Sequence, residues 1–274
     1  MSEKNKIVNS VLGTDPELFL YSELEAKFVP VCGLVGGTKE VPLPVVKDNP
    51  MFAVQEDNVA LEFTIPPASN LNDWLSNINF MKNYISNNIL NPLKLVPNYS
   101  SSARFKEEDL QSKAAQHMGC STSYNAWTFT ESMVERDDVT LRTTGMHIHV
   151  GYENPHPDYS IELVRAMDIF LGVPSILLDP DIERRKMYGK AGDYRIKNYG
   201  VEYRSLGGFF LSSDELLKWC YESTMKAIEF VNSGSMENIT DPDRIQECIN
   251  TCNKDLANEI IEDYRIEILN YETV

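Results

Sequence analysis

Gly145-Met-His147-Ile-His149-Val-Gly151 is the stretch whose reading decides the fold. Successive side chains of a β-strand point to opposite faces, so His147 and His149 share one face while Met146, Ile148 and Val150 take the other. One polar and one apolar face is the pattern of an antiparallel sheet covered on one side. Three other stretches repeat it. Asp15 and Glu17 sit two residues apart. In the run from Val59 to Ile65, Glu62 points away from Leu61 and Phe63. In Val201-Glu-Tyr-Arg204, Glu202 and Arg204 oppose Val201 and Tyr203. Four such strands predict a sheet whose polar face carries carboxylates, imidazoles and an arginine. Mostly oxygen donors with an imidazole suit Mg²⁺ or Mn²⁺ better than zinc.

The remaining sequence frames that sheet. The chain has 274 residues and a formal net charge of −16. This length supports a large core, and the reading is a single domain over 1–274, with C-terminal helices over about 213–270 packed on it. Antiparallel-looking strands mixed with long helices give an α+β class. Further strands are expected at 13–21, in a hairpin over 52–65, at 143–152 and at 200–206. Helices are expected at 70–88, at 160–172, from a Ser212-x-x-Glu215 capping box to about Val231, and twice within 242–270. An acidic chain is a poor ligand for a nucleic-acid polymer or an anionic membrane. No apolar run reaches the roughly 18 residues that a spanning helix needs. No apolar signal core follows Met1, so a cytoplasmic protein is expected. Five cysteines without a CxxC pair fit a reduced compartment and no structural zinc.

Residues 181–204 depart from the acidic average. They hold Arg184, Arg185, Lys186, Lys190, Arg195, Lys197 and Arg204 against Asp181, Glu183, Asp193 and Glu202. A basic loop over 181–199 leading into Glu202 and Arg204 is the expected site for a small polyanion such as a phosphate chain. Neither a Walker loop nor a GxGxxG motif is present, so a nucleotide would be held in another way.

The four strand motifs, in this order, resemble the glutamine synthetase and glutamate–cysteine ligase superfamily. Gly13-Thr-Asp-Pro-Glu17 is similar to its first-strand Gly-x-Glu-x-Glu, with Asp15 where the family usually has Glu. Leu61-Glu-Phe63 is similar to its Leu-Glu-Phe, Gly145-Met-His147 to its Gly-x-His, and Glu202-Tyr-Arg-Ser-Leu206 to its Glu-x-Arg-Ser-Leu. Gly119-Cys-Ser-Thr-Ser-Tyr124-Asn125-Ala-Trp127 and Arg142-Thr-Thr-Gly-Met-His147 resemble, more narrowly, the phage-encoded COOH–NH₂ ligase type 2 group, which implies a phage origin and the host cytoplasm.

The resemblance implies a curved antiparallel sheet that bears the active site, with helices behind it. It implies ATP and Mg²⁺ or Mn²⁺, and a small-molecule or peptide carboxylate joined to an amine through an acyl phosphate. Asp15, Glu17, Glu62, His147 and Glu202 would then be metal ligands, with Glu202 and Arg204 the catalytic pair. Arg185, Lys186, Lys190, Arg195 and Lys197 would face the nucleotide. His149, Tyr124 and Asn125 would face substrate. Either Glu56 or Asp57 would add a carboxylate at the hairpin. A metal-dependent hydrolase and a binding module on a decayed ligase fold are the alternatives, and an oligomer is left open.

Overall fold

The structure is a computed structural model that describes residues 6–116, 122–132 and 138–269. Its strands are β1 (Val11–Thr14), β2 (Glu17–Ser22), β3 (Lys27–Val29), β4 (Leu43–Pro44), β5 (Ala53–Asp57), β6 (Ala60–Thr64), β7 (Val96–Asn98), β8 (Ser102–Arg104), β9 (Tyr124–Asn125), β10 (Leu141–Thr143), β11 (Ile148–Gly151), β12 (Asp193–Lys197) and β13 (Gly200–Tyr203). They form an antiparallel sheet ordered β1-β11-β13-β12-β9 and another ordered β3-β2-β6-β5-β4, with β7 also on β2; β8 and β10 pair separately.

The expected strand over 13–21 is broken at Asp15-Pro16. Proline supplies no N–H to a ladder and restricts the residue before it to extended backbone. The chain therefore crosses here from one sheet to the other. Before the break, Thr14 pairs with Ile148 and Gly13 with His149. After it, Glu17 pairs with Glu62. Across the break, Glu17 N–H donates to the Gly145 carbonyl at 2.8 Å and Phe63 N–H to the Pro16 carbonyl at 3.1 Å. The two sheets are thus stitched into one curled surface.

The helices are α1 (Leu71–Tyr84), the short α2 (Asn91–Leu93) and α3 (Lys113–Gln116), then α4 (Pro157–Met167), α5 (Val173–Leu178), the single turn α6 (Arg184–Met187), α7 (Asp214–Asn232), α8 (Pro242–Thr251) and α9 (Lys254–Asp263); α1, α4 and α7 cover the apolar side of the sheet, and α8 and α9 pack with α5 in a second cluster. Leu61, Phe63, Ile148, Val150, Val201 and Tyr203 join Trp74, Leu163 and Leu217 in the main core. Burying such side chains contributes about 1.5–3 kcal/mol each. The Trp74 indole N–H donates to the Leu217 carbonyl at 3.0 Å, which satisfies the polar atom of a fully buried ring and links α1 to α7.

Several boundaries move. A π-helical stretch from Ile85 to Leu90 continues α1. Helix α7 is capped by Ser213, whose hydroxyl accepts from Leu216 N–H, rather than by Ser212. The strand expected over 143–152 is shared between β10 and β11, whose partners lie in different sheets. The basic stretch 181–199 is not a loop throughout, because it contains α6 and β12.

Helix α6 carries Arg184, only 3% exposed. Its guanidinium donates from Nε to the Thr144 carbonyl at 2.8 Å, from Nη1 to Ser205 at 2.8 Å and from Nη2 to Arg204 at 3.1 Å. Burial lowers its pKa to about 10. These bonds satisfy carbonyls beside the site and fix the end of β13. Gly189 makes the room: its φ is +71°, and a Cβ there would meet Arg184 Nη1 at 1.7 Å and the Ser205 carbonyl at 2.7 Å. Gly189→Ala is therefore expected to destabilise the protein by about 2 kcal/mol or more, measured as a fall in the urea midpoint at unchanged m-value.

Candidate active site

Strand register, not chain proximity, assembles the site. His149 faces Glu202, Arg195 faces Glu202 from the other side, and Glu17 faces Glu62, each as a directly opposed cross-strand pair. The polar face lies in a cleft whose lining includes Asp15, Glu17, Asp57, Glu62, His147 and Arg204. Arg142, Arg184, Arg195, Lys39, Met187 and Tyr188 complete much of its wall.

One end is a crowd of carboxylates. Glu17, Asp57 and Glu62 each offer an oxygen, and these oxygens all lie within 4.8 Å of one another. Burial raises the Glu17 pKa to about 8, with the Asp57 charge adding to the effect. Burial likewise pushes Glu62 well up, with Asp15, Glu17 and Asp57 adding. Glu17 accepts from Gly145 N–H at 2.7 Å. Charges brought together out of water without a compensating cation are costly. A divalent ion with hard oxygen ligands would remove that cost, so this donor set fits Mg²⁺ or Mn²⁺.

The choice between Glu56 and Asp57 is settled by the hairpin. Glu56 turns away and accepts from the backbone N–H groups of Gly33, Val35 and Gly36 at 2.7–2.8 Å. Asp57, on the opposite face, is the one that meets Glu17 and Glu62.

The other end is cationic. Fully buried Glu202 is hydrogen-bonded to Arg204, and Arg195 Nη1 and Lys197 Nζ approach it at 3.3 and 2.7 Å. Burial and Asp15 oppose its ionisation, but Arg204 and the two histidines outweigh them and hold its pKa at about 2. Asp15 meets His147 Nδ1 at 3.1 Å and His149 Nε2 at 2.9 Å. Burial works against its charge too, yet those imidazoles hold its pKa well below the usual range. Asp15, His149 and Glu202 form a second cluster with metal-ligand spacing. Its carboxylates, unlike those of the first, are already matched by the protein's own cations.

Against the sequence reading, Asp15, Glu17, Glu62, His147, His149, Glu202, Arg204, Arg195 and Lys197 come together. His147, expected as a ligand, falls outside both clusters, because its Nδ1 is turned to Asp15 and lies 3.5 Å from Arg204 Nη1. Arg185 and Lys186 do not line the cleft. Arg185 is buried and donates to the Gly189 carbonyl and Ser175 Oγ, while Lys186 pairs with Glu183 on the outside. Lys190, between α6 and β12, and Tyr124, on β9, do not line the cleft. Asn125 spends its amide on backbone, accepting from Trp127 and Thr128 N–H of its own turn and donating to the Ala191 carbonyl. Gly119 and Cys120, and also His117, lie outside the described residues. Arg142, read only within the family motif, and Arg184, read only as part of the basic stretch, also line the cleft. Both are buried and bond backbone carbonyls, and no pattern in the chain distinguishes such arginines from solvated ones.

This geometry meets the comparisons with known proteins at its sheet motifs. Residues 136–231 match the model of the phage phiEco32-like COOH.NH2 ligase-type 2 family. The resemblance read from the strand motifs is thereby borne out over that stretch, which takes in His147, His149, Glu202 and Arg204. The match is 96 of 274 residues (136 to 231 inclusive) and leaves Asp15, Glu17 and Glu62 outside it. None of the curated proteins matches the chain in sequence. Among solved structures, a bifunctional glutathione synthetase from Pasteurella multocida aligns with 93% of this chain and 49% of its own, at 10% identity and a TM-score of 0.47. A novel glutamine synthase homolog aligns with 93% and 66%, at 11% identity and a TM-score of 0.31. The chain thus spans about half the length of the first and 66% of the second. No helix among the described residues is long and apolar enough to cross a membrane.

The raised carboxylates set a pH dependence. Glu17 has a folded pKa of about 8 against an ordinary 4.5, so between these values the folded state keeps a proton that the unfolded chain releases. Stability is therefore greatest below that window and falls as pH rises through it. The depressed groups, Asp15 and Glu202, titrate below it. In EDTA the melting temperature should fall between pH 7 and 8 by differential scanning fluorimetry. Glu17→Gln should flatten that fall, and Mg²⁺ should raise the melting temperature more at pH 8 than at pH 7.

Proposed function

We propose that this protein is an ATP-dependent carboxylate–amine ligase that forms an amide or isopeptide bond through an acyl phosphate. The observation that carries the reading is the polarity of a single cleft. A trio of carboxylates with no ion pair among the described residues stands at one end, and Arg204, Arg195 and Lys197, gathered on Glu202, at the other. A triphosphate with its divalent ions has the complementary charges. The family match over the strands that bear His147, Glu202 and Arg204 supports the same class of reaction.

On this reading, Glu17, Asp57 and Glu62 would hold Mg²⁺ or Mn²⁺. An ion held there would supply neutralisation of phosphate charge. Glu202 holds the cations of Arg204, Arg195 and Lys197 over the point where charge builds on the transferring phosphoryl group. The γ-phosphoryl group passes from ATP to the carboxylate and ADP is released; the neutral amine attacks the acyl carbon, phosphate leaves with the electron pair of the broken C–O bond, and the proton lost from nitrogen passes to phosphate or solvent. His149, oriented by Asp15 and by a hydrogen bond to Tyr199, contacts substrate at the rim. The enzyme's contribution is positioning and charge neutralisation. The substrates are a small-molecule or peptide carboxylate and an amine, in the cytoplasm.

The test is incubation of the purified protein with ATP, Mg²⁺ and a bacterial metabolite extract, with ADP and condensed products followed by mass spectrometry. ADP and a product heavier by an amine less water are expected. Glu62→Gln and Arg204→Met should each lower ADP formation by about 100-fold or more, the loss typical of removing one charge-stabilising group. Arg244→Met, in an exposed ion pair on α8, should leave it unchanged. ADP formation by the wild type no faster than by Glu62→Gln would overturn the reading.

A further inference from the structure

Beside the cleft lies a second cavity of about 150 Å³. It shares Met187, Tyr188 and Asp193 with the cleft, so the two lie side by side. Its other walls include Ser132, Glu131 and Lys190. Asp193 is the unusual member. It is 5% exposed, yet among the described residues no basic side chain lies within ion-pair distance of it, and its one side-chain hydrogen bond comes from Ser132 Oγ at 3.1 Å. The nearby Arg184 spends its donors on the carbonyls of Thr144, Ser205 and Arg204. The backbone of Asp193 is fixed, since its carbonyl accepts from Arg204 N–H at 3.0 Å. Arg184 acts on this carboxylate only from a distance, and a buried carboxylate with no direct ion pair among the described residues, held rigidly at the mouth of a cavity, can receive a cation. Lys190 stands on the same cavity, and among the described residues no carboxylate lies within ion-pair distance of its ammonium.

We infer that this annex is the amine-substrate site, that it takes a small amphoteric amine such as an α-amino acid, and that Asp193 receives the ammonium while Lys190 receives the acid group. The inference rests on the ligase reading for the word substrate, but the binding site stands apart from it. A triphosphate does not fit here, because Asp193 and Glu131 repel it. Asp193 lines the part of the cleft that also holds Arg204, so an amine on Asp193 waits beside the group proposed to stabilise the phosphoryl transfer. Asp193 is thus a binding residue for the nucleophile.

The test needs no ATP. Binding of the twenty proteinogenic amino acids, each also as its N-acetyl and its C-amide form, is measured on the full chain by saturation-transfer NMR and titration calorimetry at pH 7.5. At least one free amino acid should bind, with its N-acetyl and C-amide forms at least 10-fold weaker. Asp193→Asn should weaken the free amino acid at least 10-fold. Lys190→Met should erase the preference for the free acid over the amide, a readout that a general loss of structure does not produce. The inference is overturned if no amino acid binds the wild type, or if Asp193→Asn binds with unchanged affinity. It is overturned equally if the acid-over-amide preference survives in Lys190→Met, which decides the matter should Asp193→Asn fail to fold. Failure of ADP formation with amino-acid binding intact would instead count against the ligase reading alone.

Discussion

Three carboxylates converge where water is scarce, and among the described residues no basic side chain forms an ion pair with them, Arg204 and Arg184 acting on Glu17 only from a distance. The mutual repulsion of Glu17, Asp57 and Glu62 is the constraint around which the sheet is organised. Such an arrangement survives only because something else over-determines it. Here that is the ladder of main-chain hydrogen bonds between β2, β5 and β6, together with the apolar core on the far side of the same strands. The stability supplied by Leu61 and Phe63 on one face sustains the unfavourable proximity of Glu62 and its neighbours on the other.

The opposite end of the cleft shows the reverse solution. Glu202 is more deeply buried than the trio, yet it is held ionised, because the register of β12 against β13 places Arg195 and Lys197 around it and Arg204 follows on its own strand. One face of one curled sheet therefore carries an unmet negative region and a locally neutralised, cation-rich one. This separation, rather than any single residue, gives the cleft its chemical direction.

The alternation of apolar and ionisable residues was legible in the chain, and with it the α+β class, the sheet and most of the residues that meet in the cleft. Period-two patterning is a local property, and Glu62 and Glu202 declare their faces without any knowledge of their partners. The broken strand at Asp15-Pro16 was misread as continuous, because its apolar residues continue on both sides while only the hydrogen-bond partners change. The basic run from 184 to 197 deceived in another way. Charge density marked the right neighbourhood, but Arg184 and Arg185 serve backbone carbonyls and Ser175, whereas Arg195 and Lys197 face Glu202. Which arginine is structural depends on where α6 docks, a long-range fact that spacing does not contain.

Glu56 and Asp57 are adjacent in β5 and do unlike things. One ties down the loop that holds Gly33 to Gly36, and the other contributes to the carboxylate trio. Lys39, on the cleft wall, follows that loop closely in the chain. The floor of the cleft and this part of its rim are thus fastened to consecutive residues of one short strand. A displacement of β5 along its own axis would carry both, so the two behave as a single mechanical part. A one-residue slip of that strand would exchange the two roles, turning the loop's anchor into the cleft and the cleft's carboxylate outward.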